Sequence, residues 1–191
     1  QDLGAKMLAW ASGIETWRIR TGTISREGED WLRLAHAVER LRTLGPLALD
    51  DSPRLTPGEI AARARGAGIG APALVVVDYL QLLRCGYLPR SREEEVAEVS
   101  RGLKATAKTL GCVVLACAQL SRRVEQRLHG SPRLSDLRES GGIEQDADVV
   151  MFVHRDEAMN PQTDRPNQAD LTIVKNRNGP VGWVPLRWFA S

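Results

Sequence analysis

No Gly-x-x-x-x-Gly-Lys-Ser/Thr run occurs anywhere in the 191 residues. Such a loop cradles nucleotide phosphates with backbone amides and a lysine, so the chain carries no phosphate cradle of that type. Cysteine is scarce: Cys85, Cys112 and Cys117 are odd in number and show no Cys-x-x-Cys spacing, which argues against a disulfide framework and a zinc knuckle. Cys112 and Cys117 fall on opposite faces of an apolar strand pattern and read as reduced packing residues. His36, His129 and His154 are scattered without metal-ligand spacing and read as structural or surface side chains. No apolar run approaches ~18 residues and no secretory leader is present, which argues against a membrane span or export and favours the cytoplasm. Charge of neither sign dominates, the formal balance being +2, so any nucleic-acid binding has to come from a local patch. Arg90, Arg92, Arg101, Arg122, Arg123 and Arg127 make the middle segment basic, although solvated helix faces explain most of that. The five tryptophans form no evident base-stacking ladder; Trp10 and Trp31 have helical neighbours and read as core, and Trp183 and Trp188 lie in or near a terminal hairpin.

The residues present describe an ordinary globular domain, 42% hydrophobic and 26% charged. Helical spacing covers residues 3–11 and 27–44, the second with Trp31, Leu34, Ala35, Val38 and Leu41 on one face. Residues 47–50 read as a short strand. A helix to about Arg65 then opens with Thr56 as N-cap, Pro57 at its first position and Glu59 at its third. Residues 73–77 read as a buried strand, parallel to the one at 47–50 across a helical crossover. A helix over 93–110 repeats Val96, Val99, Leu103, Ala107 and Leu110 and stops at Gly111. Buried strands follow at 112–118 and 148–153, and 171–174 with 181–186 form a hairpin around Asn178-Gly179. Residues 86–92 and 154–168 read as mobile loops. Alternating strands and helices predict an α/β sheet, mostly parallel, with an antiparallel hairpin appended.

Four places could carry chemistry. Asp78 ends the aliphatic run Leu74-Val-Val-Val77, at a strand's carboxyl end, where an acid can hold Mg²⁺ through water beside phosphates; the lesser alternative is an acid that caps a turn. Gln119 follows a second apolar strand and could sense phosphate or metal-bound water, or simply be a solvated turn residue. Residues 136–145 offer Arg138 for phosphate charge and backbone amides at Ser140, Gly141 and Gly142, where missing side chains allow close approach. That suits sequence-independent gripping of a nucleic-acid backbone, though a helix-entry loop would look the same. Lys175 and Arg177 put two cations on one strand face before the Asn178-Gly179 turn; they suit a shared anion, or solvation at the turn.

Taken together, Leu74-Val-Val-Val-Asp78-Tyr-Leu-Gln, Asp136-Leu-Arg-Glu-Ser-Gly-Gly-Ile-Glu-Gln-Asp-Ala-Asp-Val-Val and Lys175-Asn-Arg177-Asn-Gly-Pro closely resemble the C-terminal motor domain of DnaB-type replicative DNA helicases, across essentially the whole chain. The resemblance implies a RecA-like three-layer α/β fold over residues 1–191, N-terminally truncated before its first strand, phosphate loop and catalytic glutamate. It implies that Asp78 is the Walker B metal residue for Mg²⁺, that Gln119 couples nucleotide state to DNA loops, and that Lys175 and Arg177 reach the γ-phosphate of ATP in a neighbouring subunit. Arg138, Glu139 and Gly141 match the family's contacts to single-stranded DNA. The intact protein would be a homohexamer that hydrolyses ATP and moves 5′ to 3′, with a primase and a helicase loader as partners. Its start at Gln1, within a helix, leads to the expectation that the natural protein extends upstream and that this piece alone is inactive. Two rivals stay open: a RecA-fold recombination or repair ATPase, and a non-catalytic DNA-binding or assembly module.

Overall fold

The computed structural model describes residues 2–121 and 132–189, with the backbone alone at 2 and 138–141. Arg122, Arg123, Arg127 and His129 therefore lie outside the described residues. The chain divides into two compact units, residues 1–48 with 189–191, and residues 49–188.

The first unit is helical: α1 (Asp2–Ser12), α2 (Thr16–Thr21) and α3 (Glu29–Thr43). α1 packs on α3, and each buries an alanine, Ala9 and Ala37, whose small side chains let backbones come close. Gly13 ends α1 at φ +68°, a conformation that favours glycine, and its carbonyl accepts from Arg33 Nη2 at 3.2 Å. Trp10 and Trp31, expected in the core, are 69% and 42% exposed. Trp10 instead lies under the Arg40 guanidinium, 5.3 Å from the ring centroid, a use of an aromatic face that helical periodicity does not reveal.

The second unit holds α4 (Pro57–Gly66), β1 (Leu74–Val77), α5 (Arg92–Leu110), β2 (Val113–Ala116), α6 (Gly141–Asp146), β3 (Val149–His154), β4 (Gln168–Asn176) and β5 (Gly182–Arg187). Short 3₁₀ turns lie at Leu80–Leu82, Leu134–Ser140 and Asp156–Ala158. The start of α4 is the predicted capping box: Glu59 N donates to Thr56 Oγ1 at 3.2 Å, and Thr56 N donates to Glu59 Oε2 at 2.7 Å. α5 opens on Ser91 as N-cap and closes on Gly111 at φ +64°.

β1 and β2 pair in parallel, and β3, β4 and β5 form an antiparallel sheet around the Asn178-Gly179 hairpin. The expected strand at 47–50 does not form. Leu47 and Leu49 are exposed, and no described strand pairs with them, so the backbone there has no ladder to join. The parallel pair is therefore β1 with β2, connected through α5. Residues 50–52 serve α4 instead: Asp50 Oδ2 accepts from Arg63 Nη1 at 2.8 Å, and Ser52 Oγ accepts from the same atom at 2.7 Å.

One core serves the second unit. Val96, Val99 and Leu103 of α5 meet Val77 and Leu80 from the β1 end, Leu137 and Ile143 from the 134–146 segment, and Val150 and Phe152 of β3. Each such side chain contributes about 1.5–3 kcal/mol when removed from water. The strands are not buried on both faces, as their apolar runs suggested: Leu74, Val76, Val113, Leu115, Met151 and Val153 are exposed. Apolar composition marks a strand as able to be covered without telling which face has a covering layer. Cys117, read as a packing residue, is exposed for the same reason, whereas Cys85 is buried.

Candidate functional site

The parallel ladder places the first pair of candidate residues. Val77 stands opposite Ala116, and beyond the strands Cys117 N donates to Val77 O at 2.9 Å and Leu80 N to Cys117 O at 2.8 Å. Asp78 and Gln119 therefore follow two paired strands at their shared carboxyl end, where open α/β sheets bind ligands. The Asp78 side chain is exposed and has no hydrogen-bond or ion-pair partner among the described residues. Solvent, rather than a buried partner, balances its charge.

Sequence reasoning missed the residue that positions Gln119. Gln81 Nε2 donates to Gln119 O at 3.0 Å, and Gln119 N donates to Gln81 Oε1 at 3.1 Å. A planar amide offers both a donor and an acceptor, so it holds the Gln119 backbone as a neighbouring strand would. Arg92 Nη2 donates to Gln81 O at 2.5 Å, tying this clamp to the first turn of α5. The signal available was an amide within the apolar run Leu80-Gln81-Leu82.

Asp78 suits a divalent cation shared with phosphates. Among the described residues no group of three or more His, Cys, Asp or Glu side chains could hold a metal ion together. A single solvated carboxylate at a strand end fits the mode in which Mg²⁺ keeps several waters and takes its remaining ligands from substrate phosphates.

The segment with Arg138, Glu139 and Gly141 is helical throughout: a 3₁₀ turn over Leu134–Ser140 leads directly into α6. Asp136, which is buried, pins its start by accepting from Arg133 N at 2.7 Å through Oδ2, and its carbonyl accepts from Ser121 N at 3.3 Å. The next residue, Leu137, enters the core. Gly142 corrects the expectation that its missing side chain opens room for a nucleic-acid backbone. A Cβ there would meet Ala97 Cβ at 2.7 Å and Ala97 Cα at 2.8 Å, so its small size lets α6 approach α5.

Lys175 and Arg177 both meet the end of α6. Lys175 Nζ donates to Glu144 O, and Arg177 Nη2 donates to Gln145 O at 2.5 Å, successive carbonyls in the last turn of α6. Asp148, not singled out in the sequence, lies beside them: Arg177 Nε is 3.9 Å from its Oδ1, and Lys104 Nζ forms an ion pair with its Oδ2. The Lys104 hydrogen bond, aided by the charges of Arg177 and Lys175, holds the Asp148 carboxyl below the usual carboxylate range. An acid immediately before an apolar strand was the sequence signal for it. Among the described residues no hydrogen bond or ion pair joins this cluster to Asp78 or Gln119.

A sequence model of the DnaB-like helicase C terminal domain matches residues 1–191. The chain belongs to this family. Two DnaB relatives agree along its length. The replicative DNA helicase DnaB of Buchnera aphidicola subsp. Acyrthosiphon pisum (strain APS) is 45% identical over 97% of this chain and 40% of its own length. That of Geobacillus stearothermophilus is 42% identical over 97% of this chain and 41% of its own. A solved structure of a DnaB-like replicative helicase, described with its interactions with primase, superposes with a TM-score of 0.88 at 34% identity, over 97% of this chain and 46% of that one. The fold is thus that of the DnaB-like motor domains, and the chain spans about two fifths of the length of the DnaB proteins it matches. No helix among the described residues is long and apolar enough to cross a membrane.

Proposed function

We propose that the chain is the greater part of the ATP-driven motor of a replicative DNA helicase, a homohexameric ring that moves 5′ to 3′ along single-stranded DNA in the cytoplasm. The observation that carries this reading is the pairing of Asp78 and Gln119 at the carboxyl ends of two hydrogen-bonded parallel strands, in a chain of the DnaB-like family. Membership in that family also favours a primase and a helicase loader as partners, the solved relative having been described with its interactions with primase.

Each residue then has a role in that reading. Asp78, solvated and without a competing cation among the described residues, holds Mg²⁺ through water; the ion offsets the charge of the ATP phosphates when bound. Gln119, its backbone held by Gln81, keeps an amide beside the same strand end and reports the state of the phosphates. Lys175 and Arg177 reach the γ-phosphate of a neighbouring subunit and offset charge that develops during phosphoryl transfer. Arg138, Glu139 and Gly141 contact the backbone of single-stranded DNA, which is alike at every step, so no base-reading side chain is needed.

The test is Asp78→Asn in the full-length protein that contains this chain. Mg²⁺-dependent ATP hydrolysis and duplex unwinding should both be lost while nucleotide binding is largely retained. Undiminished unwinding by the variant would refute the assignment. The 191-residue chain by itself should release no phosphate from ATP, with or without single-stranded DNA, because the amides and lysine of a phosphate loop supply most of the hold on a triphosphate.

A further inference from the structure

Lys175 and Arg177 are not free to meet a phosphate as they stand. They already serve as donors to a helix end. α6 has six residues, and the last carbonyls of any helix lack intrahelical partners. A helix this short is marginal by itself. Two of its terminal carbonyls, Glu144 O and Gln145 O, are taken by the Lys175 ammonium and the Arg177 guanidinium, where cations also complement the negative end of the helix dipole.

Asp148 completes the seat. The Nε and Nη2 atoms that form one edge of the Arg177 guanidinium face Asp148 Oδ1 and Gln145 O, and Arg177 N donates to Asp148 O at 2.9 Å. Lys104 from α5 holds the other carboxylate oxygen, so Asp148 is oriented by a helix of the core. Asp148 is thus shared among Lys104, Lys175 and Arg177, so an anion that offers more negative charge than one shared carboxylate can draw the two β4-end cations away.

We propose that Asp148 and the last turn of α6 form a resting seat for Lys175 and Arg177, and that a phosphate which takes these cations out of the seat loosens α6. This rests on reading the two as phosphate-binding groups. Asp148 is a positioning residue: it touches no substrate and acts by presenting Arg177. The consequence follows from the order of the chain. α6 begins at Gly141, directly after the 3₁₀ turn that carries Arg138 and Glu139, and its Ile143 is part of the core that α5 organises. Loss of both caps at one end of α6 therefore changes the order of the segment proposed to grip DNA, and phosphate and DNA compete or cooperate through one short helix.

Amide hydrogen exchange of this chain within the full-length protein tests the seat without any ATPase readout. The reporter is Ala147, whose amide donates to Ile143 O at 3.0 Å across the end of α6; the control is the β3–β4 ladder around Phe152 and Thr172. In Lys175→Ala/Arg177→Ala, exchange at Ala147 should rise by about tenfold or more, the scale for losing hydrogen bonds to charged donors, with the ladder unchanged. Sodium tripolyphosphate should produce the same rise in the unaltered chain, against sodium chloride at matched ionic strength, and no further rise in the double variant. Asp148→Asn should lower the tripolyphosphate concentration needed, since it weakens the resting state, an effect that a merely structural role would not give. Unchanged exchange at Ala147 in the double variant, or a rise shared equally by the ladder, overturns the proposal. Its failure is separable from that of the helicase reading. Loosened α6 with full ATPase in Arg177→Ala of the full-length protein supports the seat and removes the finger, whereas lost ATPase with unchanged exchange does the reverse.

Discussion

Replacing Gly142 with alanine isolates the contact that sets α6 against α5. The added methyl would lie 2.7 Å from Ala97 Cβ and 2.8 Å from Ala97 Cα. Relaxed carbon contacts lie at roughly 3.5–4.0 Å, so the helices must separate by a large part of an ångström. Overpacking of this kind costs about 1–3 kcal/mol, while alanine in place of glycine in a helix recovers about 0.5–1 kcal/mol. The net expectation is a destabilisation of about 0.5–2 kcal/mol, or roughly 2- to 30-fold faster exchange at protected amides of α6 and the facing turn of α5. Native-state amide exchange at Ala147 and Val99 reads this directly. Gly58→Ala in α4 is the control, because a Cβ there meets nothing within 4 Å. It should leave α6 untouched. Slower exchange at Ala147 in Gly142→Ala would refute the reasoning, since helix propensity would then outweigh the steric contact and the glycine would be available for a different purpose.

Three further outcomes are expected. Hydrogen bonds from the Ser52 hydroxyl and amide, then from Arg63, bring the Asp50 carboxyl from 3.8 to about 2, so this contact stabilises the fold above pH 3.8 and loses its effect as pH falls towards 2; a carboxyl NMR titration of Asp50 with its midpoint near the ordinary value would contradict it. In the full-length protein Arg138→Ala should weaken single-stranded DNA binding alike for all sequences and reduce the slope of log K against log salt by roughly 0.7, the expectation for one lost phosphate contact; an unchanged slope counts against that role. Arg177→Ala rings should assemble yet hydrolyse ATP about 10³-fold more slowly, and mixing with Asp78→Asn subunits should restore part of the activity wherever an intact Arg177 faces an intact Asp78; a flat mixing curve from verified mixed rings would exclude action across the interface.

The sequence by itself determined those elements whose cause is local. The α4 capping box was legible because Thr56, Pro57 and Glu59 satisfy orphan amides within three residues of one another. α5 was legible through its apolar repeat and Gly111, the β4–β5 hairpin through Asn178-Gly179, and the placement of Asp78 and Gln119 beyond two strands through the polar residues that follow those apolar runs. The paired spacing of Lys175 and Arg177 likewise placed both cations at one end of β4. Only the tertiary structure decided matters that depend on what arrives from elsewhere in the chain. Whether 47–50 forms a strand depends on a partner strand, and Trp10 lies exposed under Arg40 because α3 crosses α1 there. Gln81 became a clamp because the parallel register brings Gln119 beside it across 38 positions of sequence. Gly142 and Asp148 owe their roles to α5, whose Ala97 and Lys104 meet them. Hydrogen bonds and contacts of long sequence separation leave no periodicity to read, since they depend on where the folded backbone brings each side chain and not on its neighbours in the chain.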